Sequence, residues 1–149
     1  MKYYSYENFK DDTNILIQNV KDFNPEVIIA IARGGLTLAH AMAEGLNIRD
    51  VQSIRTELYD GTQIREHITL FGTCELQDKK KVLIVDDIAD SGQTLDAVIK
   101  HLECLHSSIE FKSCTLFYKE SSSIEPDYWL NDANDWINFF WESDFSEDL

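Results

Sequence analysis

Cysteines and basic side chains are scarce in this sequence of 149 residues, and both shortages exclude classes of protein. The three cysteines, Cys74, Cys104 and Cys114, form no CxxC pair, so we predict no disulfide framework and interpret them as thiols in a reducing compartment. The chain has 13 Lys and Arg residues against 27 Asp and Glu residues, a net charge of −14. That charge excludes duplex nucleic acid and anionic membranes as partners held by general electrostatics, whereas a small anionic ligand needs only a few local donors.

Long apolar runs are also missing. The longest uninterrupted apolar run covers residues 27–32, far short of the ~20 residues that cross a bilayer, and the first residues show no apolar signal-peptide core. Hydrophobic residues nevertheless make up 44% and aromatic residues 11% of the chain, which excludes an intrinsically disordered protein. We therefore expect no transmembrane segment and a single cytoplasmic domain over residues 1–149.

Apolar spacing predicts an alternation of strands and helices. Residues 27–32 and 82–85 are apolar without interruption, as in strands that are buried on both faces of a parallel sheet. The order predicts an α/β fold with an open, mainly parallel twisted sheet flanked by helices. Further strands are predicted at residues 51–59, 68–70 and 111–118, helices at 7–23, 36–46 and 95–105, and a hairpin or flexible flap at about 57–75.

Two strand ends carry unusual loops, and the first is Arg33-Gly34-Gly35. Ligands of open α/β sheets bind at the carboxyl ends of the strands. Glycines let the backbone approach a ligand closely, and their amides together with Arg33 form a compact site for an anion. The same three residues are equally compatible with a tight strand-to-helix turn that carries a surface arginine.

The second loop follows the strand at residues 82–85 and contains three carboxylates, Asp86, Asp87 and Asp90. Carboxylates this close repel each other unless a divalent metal or a sugar diol lies between them. Residues 91–94 then present amides and hydroxyls at the start of the next helix, where the dipole favours a phosphate. Together these features indicate a site for a ribose 5-phosphate, and the alternative is an acidic loop followed by an ordinary helix cap.

Residues 82–94 resemble the phosphoribosyl pyrophosphate (PRPP) motif of type I phosphoribosyltransferases, and residues 31–36 resemble the pyrophosphate loop of that family. Phe117-Tyr118-Lys119 and the segment at residues 135–142 are similar to the base-binding regions of bacterial xanthine-guanine phosphoribosyltransferases. The resemblance implies the type I phosphoribosyltransferase fold, with a small C-terminal hood at about residues 119–149 and a flexible flap at about 57–75.

The resemblance implies transfer of 5-phosphoribosyl from PRPP to N9 of guanine, xanthine or hypoxanthine, giving GMP, XMP or IMP and pyrophosphate. Mg²⁺ is the expected cofactor. Asp86 and Asp87 are its expected ligands and would hold the ribose hydroxyls directly or through the metal. The expected PRPP-binding residues are Arg33, Gly34, Gly35, Arg65, Asp86, Asp87, Asp90, Ser91, Gly92, Gln93 and Thr94.

On the base side, the resemblance implies that Asp90 is the catalytic residue, handling the proton on purine N7. Lys119 would donate to O6, Trp136 would stack on the base, and the Ile137 backbone would meet its 2-position. The resemblance also implies a homodimer or homotetramer.

Three alternatives stay open from the sequence. The first is a PRPP-binding regulatory protein without transferase activity, although such regulators commonly add a nucleic-acid-binding element that we do not find here. The second is a phosphoribosyltransferase for adenine, uracil or orotate, against which Lys119 and the Trp136-Ile137 pair argue. The third is a receiver-type signalling domain, whose acid pair normally lies nearer the N-terminus than Asp86-Asp87.

Overall fold

The computed structural model describes residues 2–60 and 66–146, in which strands alternate with three main helices along the chain. Within these ranges, no helix is long and apolar enough to cross a membrane. The strands are β1 Lys2–Tyr4, β2 Val27–Ala32, β3 Val51–Asp60, β4 Glu66–Phe71, β5 Lys81–Val85, β6 Ile88–Ala89, β7 Glu110–Cys114, β8 Phe117–Tyr118, β9 Asn131–Asp132 and β10 Ile137–Phe139. The helices are α1 Tyr6–Val20, α2 Leu36–Leu46, α3 Gln93–Leu105 and α4 Phe140–Ser143, with a 3₁₀ turn at Lys21–Phe23.

The central sheet has five strands in the order β4-β3-β2-β5-β7. All neighbours are parallel except β3 and β4, which pair as an antiparallel hairpin. From β2 the chain moves to β3 on one side, and it later returns to β5 on the other side of β2. The strand order therefore reverses between β2 and β5, which is where ligands bind in open α/β sheets.

The two central strands are apolar because both of their faces are covered. Val27, Ile29 and Ile84 lie in a cluster with residues of α3, whereas Ile28 and Leu83 lie in a cluster with residues of α1 and α2. All five of these side chains have zero exposed surface. The prediction of a mainly parallel sheet flanked by helices is thus confirmed.

The prediction of a single strand over residues 111–118 is wrong. β7 ends at Cys114, and β8 belongs to a separate three-stranded sheet in the order β6-β8-β9. The chain turns out of the central sheet because the amides of Leu116 and Phe117 both donate to the Asp87 carbonyl, at 3.0 and 3.2 Å. This turn brings the end of β8 beside the loop that follows β5.

The N-terminal strand β1, which the sequence did not predict, pairs in parallel with β10 near the C-terminus. Its Tyr4 is buried against the rings of Phe117 and Phe139. The Tyr4 hydroxyl donates to Asp12 of α1 at 2.6 Å, and Asn131 Nδ2 donates to the same carboxylate oxygen at 2.9 Å. The first residues of the chain and α1 therefore hold the C-terminal segment in place.

Candidate functional site

The two predicted loops lie side by side at the carboxyl ends of β2 and β5. A Cβ atom added to Gly34 would lie 2.6 Å from Asp87 Oδ2, so the backbone at this residue approaches the carboxylate closely. Gly35 is buried, and a Cβ atom there would overlap the Val85 and Ile31 carbonyl oxygens. The two glycines are thus required by close packing at the strand ends, and Arg33 beside them in the sequence is exposed.

Asp86 and Asp87 form an almost buried pair of acids, with exposed fractions of 9% and 7%. The Asp87 amide donates to Asp86 Oδ1 at 2.8 Å, and the Asp86 amide donates to the Cys114 carbonyl at 3.1 Å. Burial raises the pKa of Asp86 well above its ordinary value, and the charge of Asp87 raises it further. Burial also raises the pKa of Asp87, to about 6, and the negative charge of Glu142 contributes.

No Lys, Arg or His side chain in the described ranges lies within 4.0 Å of either carboxylate of this pair. The same ranges contain no cluster of three or more His, Cys, Asp or Glu side chains arranged to hold a metal ion. Two adjacent carboxylates without a fixed counter-charge suit Mg²⁺, which commonly takes one or two protein carboxylates and completes its shell with water and substrate phosphates. The acid pair therefore fits Mg²⁺ bound together with a phosphorylated ligand.

The segment after Asp90 forms a cradle at the start of α3. Gly92 has a φ of 83°, a left-handed conformation that glycine adopts without strain, and it leads directly into the helix. The Gln93 amide donates to Ser91 Oγ at 3.3 Å. A cavity of about 220 Å³ lies in front of this turn, lined by Asp86, Asp87, Ile88, Ala89, Asp90, Ser91, Gly92, Thr94 and Leu95. The amides of the first helical turn have no partners within the helix, so this cavity suits an anion.

A second turn, at residues 119–123, packs against this cradle, and its contribution was not predicted. The Lys119 amide donates to the Ala89 carbonyl at 3.0 Å, and the Ser123 amide donates to the Ser91 carbonyl at 2.8 Å. Any Cβ atom at Gly92 would overlap Ser122 Oγ. The turn that carries Lys119 is therefore tied to the backbone of the cradle at two points.

A second cavity, of about 270 Å³, opens on the other side of Asp87 and Asp90. Lys119 Nζ lies 3.5 Å from Asp90 Oδ1, and the Trp136 side chain is 72% exposed at the cavity. The residues that line it are Asp87, Ile88, Asp90, Lys119, Ala133, Asn134, Asp135, Trp136, Ile137, Phe139 and Glu142. Both cavities share Asp87, Ile88 and Asp90, so they form two adjoining parts of one site.

Most of the predicted site residues come together at this edge of the sheet. Arg65 lies outside the described residues. Neither cavity is lined by Arg33, Gly34, Gly35 or Gln93. Glu142 lines the second cavity although it was not among the predicted site residues. Its only sequence signal was its place at the end of the segment at residues 135–142 that resembles the family's base-binding region.

Comparison with known proteins agrees with this arrangement. Residues 4–147 match the family described as the phosphoribosyl transferase domain. The xanthine-guanine phosphoribosyltransferase of Idiomarina loihiensis is 32% identical over 118 residues, which cover 77% of this chain and 70% of that protein.

Two solved structures are similar over nearly their whole length. The Helicobacter pylori xanthine-guanine-hypoxanthine phosphoribosyltransferase has a TM-score of 0.90 and 37% identity, covering 96% of this chain and 94% of that chain. The purine phosphoribosyltransferase of Pyrococcus horikoshii has a TM-score of 0.85 and 32% identity, covering 95% of this chain and 93% of that chain. The chain is therefore similar to these enzymes in both sequence and fold.

Proposed function

The chain belongs to the phosphoribosyltransferase family, and from that membership we propose that it is a purine salvage enzyme acting on PRPP and a 6-oxopurine. The base would be guanine, xanthine or hypoxanthine, and the products would be its nucleoside monophosphate and pyrophosphate. The observation that carries this proposal is the pair of adjoining cavities, one at the start of α3 and one beside Lys119, with Asp87 and Asp90 between them.

The phosphoribosyl part of PRPP would lie in the cavity in front of α3. The backbone of Ser91 and Gly92 and the hydroxyl of Thr94 would surround the 5′-phosphate, where the helix dipole favours negative charge. Asp86 and Asp87 would accept hydrogen bonds from the ribose 2′ and 3′ hydroxyls. Their negative charges would also stabilise the positive charge that develops at C1′.

The pyrophosphate would lie toward Arg33, Gly34 and Gly35, where the exposed arginine and the Gly34 amide would neutralise part of its charge. The Gly35 amide donates instead to the Ile31 carbonyl, at 2.9 Å. Asp86 and Asp87 would hold Mg²⁺ in this region, and the metal would supply further neutralisation of the leaving group. Arg65 is proposed as a phosphate contact from the flap at about residues 57–75, which would exclude water from the reacting centre.

The purine would lie in the cavity beside Trp136. Its N9 would attack C1′ of the sugar, the bond from C1′ to the pyrophosphate oxygen would break, and the proton on N7 would pass to the Asp90 carboxylate. Lys119, which lies 3.5 Å from Asp90, would donate to O6. Trp136 would stack on the ring, and the Ile137 backbone would meet the 2-position.

The arrangement of the whole chain is also part of the proposal. We infer one domain, with a hood at about residues 119–149 that covers the base, and a homodimer or homotetramer in the cytoplasm. Size-exclusion chromatography coupled to light scattering would measure the oligomeric state, and a monomer would contradict this part.

The decisive experiment is incubation of the purified protein with PRPP, Mg²⁺ and each purine or pyrimidine base in turn. We expect pyrophosphate and a nucleoside monophosphate from the 6-oxopurines and neither from adenine, uracil or orotate. Binding of PRPP without pyrophosphate release from any base would instead identify a regulatory protein. Product formation from adenine or a pyrimidine alone would contradict the choice of base.

A further inference from the structure

Asp12, on α1, accepts two hydrogen bonds with a single carboxylate oxygen. The Tyr4 hydroxyl of β1 donates to Asp12 Oδ2 at 2.6 Å, and Asn131 Nδ2 of β9 donates to the same oxygen at 2.9 Å. Hydrogen bonds to an ionised carboxylate are shorter and stronger than those between neutral groups. Asp12 therefore joins the first strand of the chain firmly to a strand close to the candidate site.

Residues 133–136 connect β9 to β10, and all four line the second cavity. At the β9 end of this segment, the backbone amide and the side chain of Asn131 both donate to the Leu116 carbonyl, each at 3.0 Å. The hydrogen bond from Asn131 to Asp12 adds a second fixed partner for the same side chain. Asp12 thus helps to hold the first end of the segment.

The β10 end of the segment is held by β1. The Lys2 amide donates to the Trp136 carbonyl at 2.9 Å, and Tyr4 lies opposite Phe139, which lines the second cavity. Burial raises the pKa of the Tyr4 hydroxyl above its ordinary value and the hydrogen bond to Asp12 raises it further, so the hydroxyl stays a donor. Through Tyr4, Asp12 also acts on the second end of the segment.

The Trp136 side chain has little packing of its own, since 72% of it is exposed. Its place at the cavity therefore depends on the backbone of residues 133–136. A short connection whose two ends are fixed has little conformational freedom left to lose when a ligand binds. Release of either end would add that loss to the free energy of binding a base against Trp136.

We propose that Asp12 is a positioning residue for purine binding, because it holds β1 and β9 with one oxygen atom and so sets the geometry of residues 133–136. The inference rests on the proposed function, since the ligand of the second cavity is the purine proposed there. Neither cavity is lined by Asp12, so it acts through the segment that it holds. Its loss should weaken binding of the base and leave binding of PRPP, in front of α3, nearly unchanged.

Steady-state kinetics of Asp12→Ala test this role. We expect KM for guanine and hypoxanthine to rise by about tenfold, while KM for PRPP changes by less than about twofold. Asp12→Asn keeps an oxygen that can accept both hydrogen bonds, so its KM values should lie much closer to those of the parent protein. Asp11→Ala removes the adjacent, exposed acid of α1 and is the matched control, which should change neither KM.

Tyr4→Phe tests the same contact in a milder variant, because it removes the hydroxyl and keeps the buried ring. We expect it to raise KM for the base by about two- to fivefold. Combined with Asp12→Ala it should add little, since both substitutions remove the same hydrogen bond. Equal increases in KM for the base and for PRPP, or fully additive effects of the two substitutions, would overturn the proposal.

Hydrogen–deuterium exchange gives a readout that needs no turnover. Asp12→Ala should speed amide exchange at residues 131–139 by about tenfold and leave exchange at residues 86–94 unchanged. Unchanged exchange at residues 131–139, or an unchanged KM for the base, would contradict the positioning role. If the parent protein turns over no base, the proposed function fails and the role in base binding fails with it, whereas the exchange rates still decide whether Asp12 holds this segment.

Discussion

The two parts of the candidate site, which we call the phosphate half and the base half after the ligands proposed for them, are built in different ways. The phosphate half consists of two continuous segments, residues 33–35 and 86–94, at the ends of β2 and β5. The base half collects Lys119, residues 133–139 and Glu142 from short strands and a four-residue helix. The first half is attached to strands that are buried over most of their length, whereas Trp136 of the second is 72% exposed.

Under the proposed function, this difference separates the part of the site that would bind PRPP from the part that would choose the base. A phosphate-binding turn at the end of a buried strand cannot move without disturbing the central sheet. The base half is held by the three-residue pairing of β1 with β10 and by the Asp12 hydrogen bonds to Tyr4 and Asn131. Side chains in that half can therefore change, and alter base preference, while the sheet stays as it is.

Asp90 lies where the two halves meet, so its substitution should have the largest effect. We expect Asp90→Asn to lower kcat by about 10²–10⁴-fold, because the amide cannot accept the N7 proton, while PRPP affinity changes much less. Steady-state kinetics combined with a PRPP binding titration would measure both quantities. Equal losses in kcat and PRPP affinity would remove its assigned catalytic role.

Gly35→Ala tests how tightly the phosphate half is packed. The added Cβ atom would overlap two backbone carbonyl oxygens, of Val85 and Ile31, which belong to the central strands. We expect a loss of about 3 kcal/mol or more in the free energy of unfolding, measured by denaturant titration. Gly45→Ala is the matched control, since the atoms nearest to its Cβ atom belong to the Ile17 side chain and not to backbone, and it should cost clearly less.

Asp87→Asn should stabilise the protein in the absence of Mg²⁺ and PRPP while impairing the proposed activity. Burial raises the pKa of Asp87 from 3.8 to about 6, so the folded state binds more protons than the unfolded state between these values. The ionised Asp87 side chain therefore lowers the free energy of unfolding by its full amount above pH 6, and this loss disappears as the pH falls toward 3.8.

We accordingly expect Asp87→Asn to raise the free energy of unfolding by up to about 3 kcal/mol at slightly alkaline pH, and by little under acid conditions. Thermal unfolding across this pH range, in a chelating buffer, would measure the effect. Glu103→Gln, which removes one charge from an exposed position on α3, serves as the control. A variant that is less stable than the parent protein at alkaline pH would show that the ionised carboxylate does not destabilise the folded state.

Lys119→Ala tests the base half, and of these four variants it should cause the smallest loss. We expect kcat/KM for guanine and hypoxanthine to fall by about tenfold, because a partly exposed donor to O6 is lost. KM for PRPP should change less. Lys100→Ala removes an exposed lysine from α3 and should change neither value. Unaltered kcat/KM values for guanine and hypoxanthine in Lys119→Ala would contradict the O6 assignment.

The sequence predicted the phosphate half better than the base half, because the phosphate half consists of two continuous segments. Gly34, Gly35, Asp86 and Asp87 were recognised because each loop directly follows an uninterrupted apolar strand. The division of residues 111–118 into two strands was missed, because all of these residues except Lys112 have apolar or neutral side chains and nothing local marks the break. It depends on hydrogen bonds to the distant Asp87 carbonyl.

The sequence by itself determined the α/β alternation and the order of chemical groups in residues 82–94, since a strand, its polar end and the following helix start are local features. Only the tertiary structure decided that β1 pairs with β10, that the turn at residues 119–123 braces Gly92, and that Glu142 shares a cavity with Asp87. These contacts join segments far apart in the chain. Each contact needs two residues that only the folded chain brings together, so no short stretch of sequence could have predicted it.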